Sequence, residues 1–353
     1  MGVPGLLPLL KEHLEQVDMS EIKGCRVGVD AYSWLYKAVS TYAVDVYLAP
    51  TGEEALSKCI GLCLRKCEAL QKEGVQLYFV FDGEEHPMKS MTAQKRREKK
   101  EEAREKIEVL LRRGRKEEAY RLMSRSLKVD KVMAGRFMDA LAERDIPYIR
   151  APYEADPQLA YLEREGLVDY IMTEDSDLVV YGAKRILFKL NESMIAVLYD
   201  RERVLKVGGE SVRCLLTHIK EIVALSGCDY TEGIRNVGLI TAHRLMMVHK
   251  SARGCIEFLA RKSIEVMNHW EVCQRVVCTF KMHVVIDPRS GERRYFEETE
   301  GEEFGTEEGL GDLSFVGSLV ESSVSSQTSV ESDGVELVEE VRTRVTVKLS
   351  SSS

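Results

Sequence analysis

No apolar run in this 353-residue chain reaches the ~18 residues that a membrane-spanning helix needs. The opening stretch MGVPGLLPLL lacks a basic n-region and a long apolar h-region, so no secretory leader is expected there. Leu6 also breaks the myristoylation pattern. CxxC pairs are missing, and the nine cysteines form no disulfide-like layout, which points to a reducing compartment. Cys59, Cys63 and Cys67 recur every four residues on one helix face, as small apolar residues facing a core do. There is no GxxxxGK[ST] loop, no HExxH and no convincing Ser/His/Asp set. P-loop and zinc-protease chemistry are therefore set aside. The seven histidines are scattered and read as structural or surface residues.

What is present is a chain with 44% hydrophobic residues, enough to fill a core. Its net charge of −8 is unevenly spread. Residues 297–353 hold 14 acidic and 3 basic residues, so the preceding part is slightly basic. A near-neutral average can still conceal a basic face. The pattern predicts an α/β fold with a mostly parallel twisted sheet flanked by helices. CRVGVDAY and VQLYFVFDG read as buried strands that end in Asp30 and Asp82. SKCIGLCLRKCEALQKEG reads as an amphipathic helix stopped by Gly74. The helix–strand alternation returns over MAGRFMDALAERDIPYIRAPYEAD and PQLAYLEREGLVDYIMTEDSD. Five segments follow: 1–85 and 131–218 as two parts of one core, 86–130 as a basic helical arch, 219–296 as a helix–turn–helix with a closing segment, and 297–353 as an acidic, Ser-rich disordered tail with a weakly strand-like end.

Ligands of open α/β sheets bind beyond the carboxyl ends of parallel strands. Asp30, Asp82, Glu154 with Asp156, and Asp175 with Asp177 each follow a predicted strand. Asp229, in the turn after IKEIVALSGC, can complete the set. Glu174 is expected to point away, since alternate residues face opposite sides. An aspartate after a strand is often only an N-cap or turn former. Seven converging carboxylates, however, raise one another's pKa unless cations intervene. Mg²⁺ prefers such oxygen ligands and retains waters for a phosphate, and two such ions would suit phosphodiester hydrolysis. A phosphatase with an Asp-x-Asp motif after the first strand is set aside, because Tyr32 occupies the second position.

Residues 89–116 carry twelve Lys or Arg and five Glu. Such a run is usually a solvated helix. Here Arg96 and Arg97 lie about two helical turns after Lys89, so cations could hold a phosphate beside the acids. GCDYTEGIRNVGLITA, with turn chemistry at Gly233 and Gly238, fits either an ordinary αα-hairpin or a backbone phosphate binder. Tyr32 and Tyr36 share a helix face beside Asp30, where an aromatic can stack on an unpaired base. Trp34 reads as core.

MGVPGLLPLL, VGVDAYSWLYK, FVFDG, APYEADPQLAYL, TEDSDLVVYG and LSGCDY follow one another over roughly residues 1–290. In this order they resemble the flap endonuclease/exonuclease 1 family of structure-specific 5′ nucleases. PYEAD, QLAYL, TEDSDL and SRSL favour the exonuclease 1 branch. The resemblance implies a PIN-like nuclease core and a metal-dependent 5′→3′ double-stranded DNA exonuclease with 5′-flap endonuclease activity, acting in mismatch repair and recombination. The alternative is a flap endonuclease of replication and base excision repair. It implies two Mg²⁺ (with Mn²⁺ as a substitute) on Asp30, Asp82, Glu154, Asp156, Asp175, Asp177 and Asp229. Lys89 and Arg96 would contact the scissile phosphate, and Gly2 would lie near the active site. Gly233, Arg235 and Gly238 would grip uncleaved duplex, with K⁺ held by backbone carbonyls. Recessed ends, nicks, gaps and flaps in DNA, mismatch-repair partners, a monomeric state, a nuclear location and no membrane association complete the expectation. Departures from the family pattern are Tyr36 for His, Asn236 at a glycine position, Thr241 for Lys and Pro157 for Ala. A sliding-clamp motif is also missing from the tail.

Overall fold

The computed structural model describes residues 2–49, 52–297 and 313–319. A seven-stranded sheet runs through its centre, built from β1 (Glu15–Asp18), β2 (Arg26–Asp30), β3 (Gln76–Phe81), β4 (Tyr148–Arg150), β5 (Tyr170–Met172), β6 (Arg185–Phe188) and β7 (Ile195–Asp200). Their order is β1-β7-β6-β5-β2-β3-β4. Strands β2 to β6 are parallel, whereas β7 runs antiparallel to both β6 and β1. From β2 the chain builds β3 and β4 on one side, then returns to build β5 and β6 on the other. The order thus reverses between β2 and β5, a place where parallel sheets open a crevice at their carboxyl ends.

Strand β3 shows why both faces of the sheet are covered. Leu77, Phe79 and Phe81 enter one buried cluster, while Val80 enters the other. This two-sided burial explains the nearly continuous apolar runs read as strands. On one face, the helices Ala31–Thr41, Glu53–Lys72 and Lys131–Ala142 enclose Phe79, Phe81 and Phe137. Phe79 makes edge contacts with Trp34 and Phe137 at 5.2 and 5.3 Å. Cys59, Cys63 and Cys67 are buried in the same cluster, and Trp34 is core. The opposite face is covered by the helices Ala155–Arg164, Ile219–Ser226 and His269–Lys281. A small hairpin of β8 (Val284–Ile286) and β9 (Arg293–Tyr295) follows.

The basic segment is a long helix, Ser90–Arg112, paired with a second, Lys116–Ser126. It is less separate from the core than its composition suggests, because Ile107, Ala119 and Met123 are buried in the first cluster. The tail expectation needs one correction. Leu313–Val316 forms a turn of 3-10 helix, and Val316 is fully buried beside Cys278 and Met282. Phe315, partly buried, packs against the same small cluster. The strand-like end VRTRVTVKL lies outside the described residues. Among the described residues no helix is long and apolar enough to cross a membrane.

Phe79 offers a direct test of the sheet's packing. Truncation to alanine leaves a cavity with little room to collapse, so Phe79→Ala is expected to destabilise the fold by about 3–5 kcal/mol in urea unfolding. A loss under about 1 kcal/mol would contradict the close packing seen around this ring.

Candidate active site

The carboxyl ends of β2, β3, β4 and β5 open onto one cleft of about 890 Å³. Asp30, Asp82, Glu154, Asp156, Asp175 and Asp229 line it. Asp177 lies deeper, and one carboxylate oxygen each from Asp156, Asp175 and Asp177 lie within 4.8 Å of one another. The structure therefore brings together all seven carboxylates singled out in the sequence. Glu174 does not turn away as alternation suggested. It is exposed, on the cleft wall.

Backbone amides hold several of these acids. Asp30 caps the helix Ala31–Thr41, accepting from the Ser33 amide at 3.1 Å, and also accepts from Thr173 Oγ1 at 3.2 Å. Asp82 accepts from the Ala155 amide at 2.8 Å, at the start of the helix Ala155–Arg164. Asp175 accepts from the Asp177 amide at 3.1 Å. Helix N-termini favour nearby anions, so the chain entries that place these acids also stabilise their charge. Gly2 sits against the cluster with φ +87, where an added Cβ would lie 2.0 Å from Asp175 Oδ1. Only glycine fits there.

Lys89 enters the acidic group as an internal cation. It pairs with Glu154 and, at 2.9 Å, with Asp229. Burial works against its charge, but Glu154 and Asp229 outweigh that and hold its pKa well above the ordinary lysine value. Glu154 behaves reciprocally. Burial pushes it up, yet Lys89 and His283 hold it well below the usual range. Tyr230 donates its hydroxyl hydrogen to Glu154 as well, and lies 2.7 Å from the hydroxyl of Tyr181. The other acids are driven the opposite way. Burial and the charges of Asp82 and Asp175 push Asp30 up to about 7, and burial pushes Asp82 to about 6. Asp156 and Asp177 rise well above the ordinary value through burial and the charge of Asp175. Asp177 Oδ1 is buried without a hydrogen-bond partner. An all-oxygen donor set with an orphaned buried oxygen fits a hard divalent cation.

The remaining predicted residues are distributed around this centre. Tyr32 and Tyr36 line the cleft, with Lys100 Nζ 5.6 Å from the Tyr36 ring centre. Arg97 is exposed and pairs at 2.6 Å with Glu85, a residue of the cleft wall. Lys89 closes a 3-10 turn (Pro87–Lys89) directly before the long helix and caps it. The side chain of Arg96 lies outside the described residues. Between the helices Ile219–Ser226 and Leu239–His249, Gly233 and Asn236 adopt left-handed backbone, at φ 71 and 66. Asn236 thus holds the conformation its glycine position requires. Gly238, expected as a second turn glycine, instead caps the following helix in an extended conformation. Arg235 is exposed on this hairpin, and Lys95 of the long helix pairs with Glu232 beside it.

Several cleft residues carried no signal in the sequence. Thr173, Tyr230, His86 and His283 support the acids from behind, while Lys128, Lys131 and Arg150 line the wall. His86 stacks on His283 at 4.5 Å, and burial pushes its pKa down to about 3. Tyr230 in LSGCDY and Thr173 in TEDSDL stood inside motifs that could have exposed their roles.

Residues 1–103 match the XPG N-terminal domain and residues 145–229 the XPG I-region. Exodeoxyribonuclease 1 of Schizosaccharomyces pombe is 38% identical over 75% of this chain and 46% of its own length. Exonuclease 1 of Arabidopsis thaliana is 34% identical over 82% of this chain and 39% of its own. The DNA damage-inducible protein DIN7 of Saccharomyces cerevisiae is 30% identical over 79% and 67%. The chain spans less than half the length of the first two. The fold is similar to the catalytic core of Rad2 in complex with DNA substrate (TM-score 0.55, 23% identity, 78% of each chain). It is also similar to human GEN1 in complex with Holliday junction DNA (TM-score 0.52, 20% identity, 79% of this chain and 66% of that one). The chain belongs to the XPG family of nucleases. Within it, the named relatives place the chain in the exonuclease 1 branch.

The raised carboxyls make a pH prediction. Asp30 and Asp82 retain protons in the fold that an unfolded chain releases near pH ~4. Their contribution to stability is therefore lost as pH rises from about 4 to about 7. A divalent cation displaces those protons and reverses the loss. The thermal shift induced by Mg²⁺ is expected to be larger at about pH 8 than at about pH 5, read by scanning fluorimetry against EDTA. Equal shifts at both values would argue against cation binding by these acids.

Proposed function

We propose that this chain is a Mg²⁺-dependent 5′→3′ double-stranded DNA exonuclease that also cuts 5′ flaps, hydrolysing phosphodiester bonds near a 5′ end. The observation that supports it is the cleft itself, with seven acids from four strand ends and one turn gathered around a half-buried lysine. Asp30, Asp82, Glu154, Asp156, Asp175, Asp177 and Asp229 are the residues that would hold the cations, with Mn²⁺ as an alternative ion. When bound, such ions supply an activated water and stabilise the leaving oxygen. Lys89 holds Glu154 and Asp229 in place and brings a positive charge to the point where phosphate charge must be neutralised. Tyr32 and Tyr36 offer ring faces on the cleft wall to an unpaired base. Lys128, Lys131 and Arg150 would counter the backbone charge of the strand entering the cleft. Arg96 belongs to the same proposed phosphate contacts.

Gly233, Arg235 and Gly238 form the proposed grip on uncleaved duplex, with K⁺ bound at backbone carbonyls. Phosphate contacts of this kind read shape rather than sequence. Recessed ends, nicks, gaps and flaps are the proposed substrates. A monomer acting in the nucleus in mismatch repair and recombination, with mismatch-repair proteins as partners, completes the proposal.

Two 5′-labelled DNAs, a recessed-end duplex and a single 5′ flap, test it with Mg²⁺ or EDTA. Mononucleotide release from the duplex is expected, abolished by EDTA. Asp175→Ala is expected to lower the rate at least about 100-fold, the scale of losing several kcal/mol of transition-state stabilisation, while DNA binding persists. Cutting confined to the flap base would indicate a flap endonuclease instead. Binding without any cleavage would sink the nuclease reading.

A further inference from the structure

The docked segment Leu313–Val316 and the residues just after it touch the site from behind. His86 Nδ1 accepts from the Met88 amide at 3.2 Å, so the proton sits on Nε2, which donates to the Val316 carbonyl at 3.3 Å. The His86 ring stacks on His283, whose Nε2 faces Glu154 Oε2 at 3.3 Å. A second path reaches the same carboxylate. The Ser318 amide donates to Tyr153 Oη at 2.8 Å, and Tyr153 directly precedes Glu154. Gly317, at φ 102, lies flat against the Tyr153 ring, where an added Cβ would come within 2.4 Å of a ring carbon. Arg293 donates to the Ser318 carbonyl at 3.3 Å and Arg275 lies 5.3 Å from the Phe315 ring centre, which tie the segment down from the hairpin and the last long helix.

We infer that residues 313–319 are a strap that positions Glu154, so that a stretch of the acidic tail is a working part of the cation site. Val316 and Ser318 act as positioning residues through His86 and Tyr153. Neither touches substrate. Glu154 has three neighbours along its two oxygens, namely Lys89, Tyr230 and His283, the last at 3.3 Å and outside hydrogen-bond geometry. The strap fixes the support behind the third and the backbone immediately before the carboxylate. Groups that orient metal ligands from outside the first contact are worth about 10–100-fold in affinity or activity.

This inference rests on the proposed cation site, and its test separates the two. Ser318→Pro removes the amide that bonds Tyr153 from an exposed position, and Tyr153→Phe removes the acceptor with the ring kept. Gly317→Val blocks the close approach. All three are made in the full chain. Hydrogen exchange reports whether the Ser318 amide is protected in the wild type, calorimetry reports Mn²⁺ affinity without any DNA, and cleavage reports kcat and KM. The expected result is a protected Ser318 amide, Mn²⁺ affinity and kcat each reduced about tenfold or more in the variants, and KM for DNA within about twofold of wild type. Free exchange at Ser318 in the wild type would overturn the strap, and so would variants with wild-type Mn²⁺ affinity. If the wild type binds Mn²⁺ but cuts no DNA, the nuclease reading fails while the affinity comparison still decides the strap.

Discussion

Burying like charges together is the constraint around which this molecule is organised. Carboxylates removed from water and set close to one another disfavour their own ionisation, which is why Asp30, Asp82, Asp156, Asp175 and Asp177 all move upward. The fold offsets part of this cost in two ways. Backbone amides at helix starts receive Asp30 and Asp82, and Lys89 is inserted where Glu154 and Asp229 meet. The compensation is incomplete by design of the geometry. Asp177 Oδ1 remains buried and unbonded, so the arrangement gains when a cation arrives.

Topology explains why this happens at one place. Asp30 ends β2, and Asp175 follows its neighbour β5 across the point where strand order reverses. Asp82 leaves β3 on the other flank of β2, and Glu154 follows β4 beyond it. Loops leaving neighbouring parallel strands in opposite directions open a crevice between them. Acids placed at successive strand ends therefore converge without any long-range signal in the sequence having to specify it.

That is why the acids were legible and their supports were not. Strand character and the residue at a strand's end are local properties, readable from stretches such as VQLYFVFDG. Tyr230, Thr173, His86 and His283 act through contacts between residues far apart in the chain, and a lone histidine looks the same in a core as beside a carboxylate. Lys89 and Arg97 follow from local spacing in the same way, since Lys89 caps the long helix and Arg97, two turns on, pairs with Glu85 of the same cleft wall. Asn236 keeps the left-handed turn at its glycine position because tolerance of that backbone is intrinsic to the residue.

The tail shows how composition can conceal structure. Averaged over residues 297–353, acid and serine dominate, and a disordered assignment follows. Yet the stretch LSFVGSLV, residues 313–320, carries no charge at all, with Asp312 before it and Glu321 after it. An acidic residue docked behind Tyr153 and His86 would add one more anion next to Glu154, in surroundings that already force other carboxylates to hold protons. A lysine there would compete with Lys89 for Glu154. Only an uncharged segment, bonding through its own amides and carbonyls, can close the back of such a site without disturbing the charge balance in front of it. The part of the tail that docks has that character, and the acidic sequence on either side of it does not.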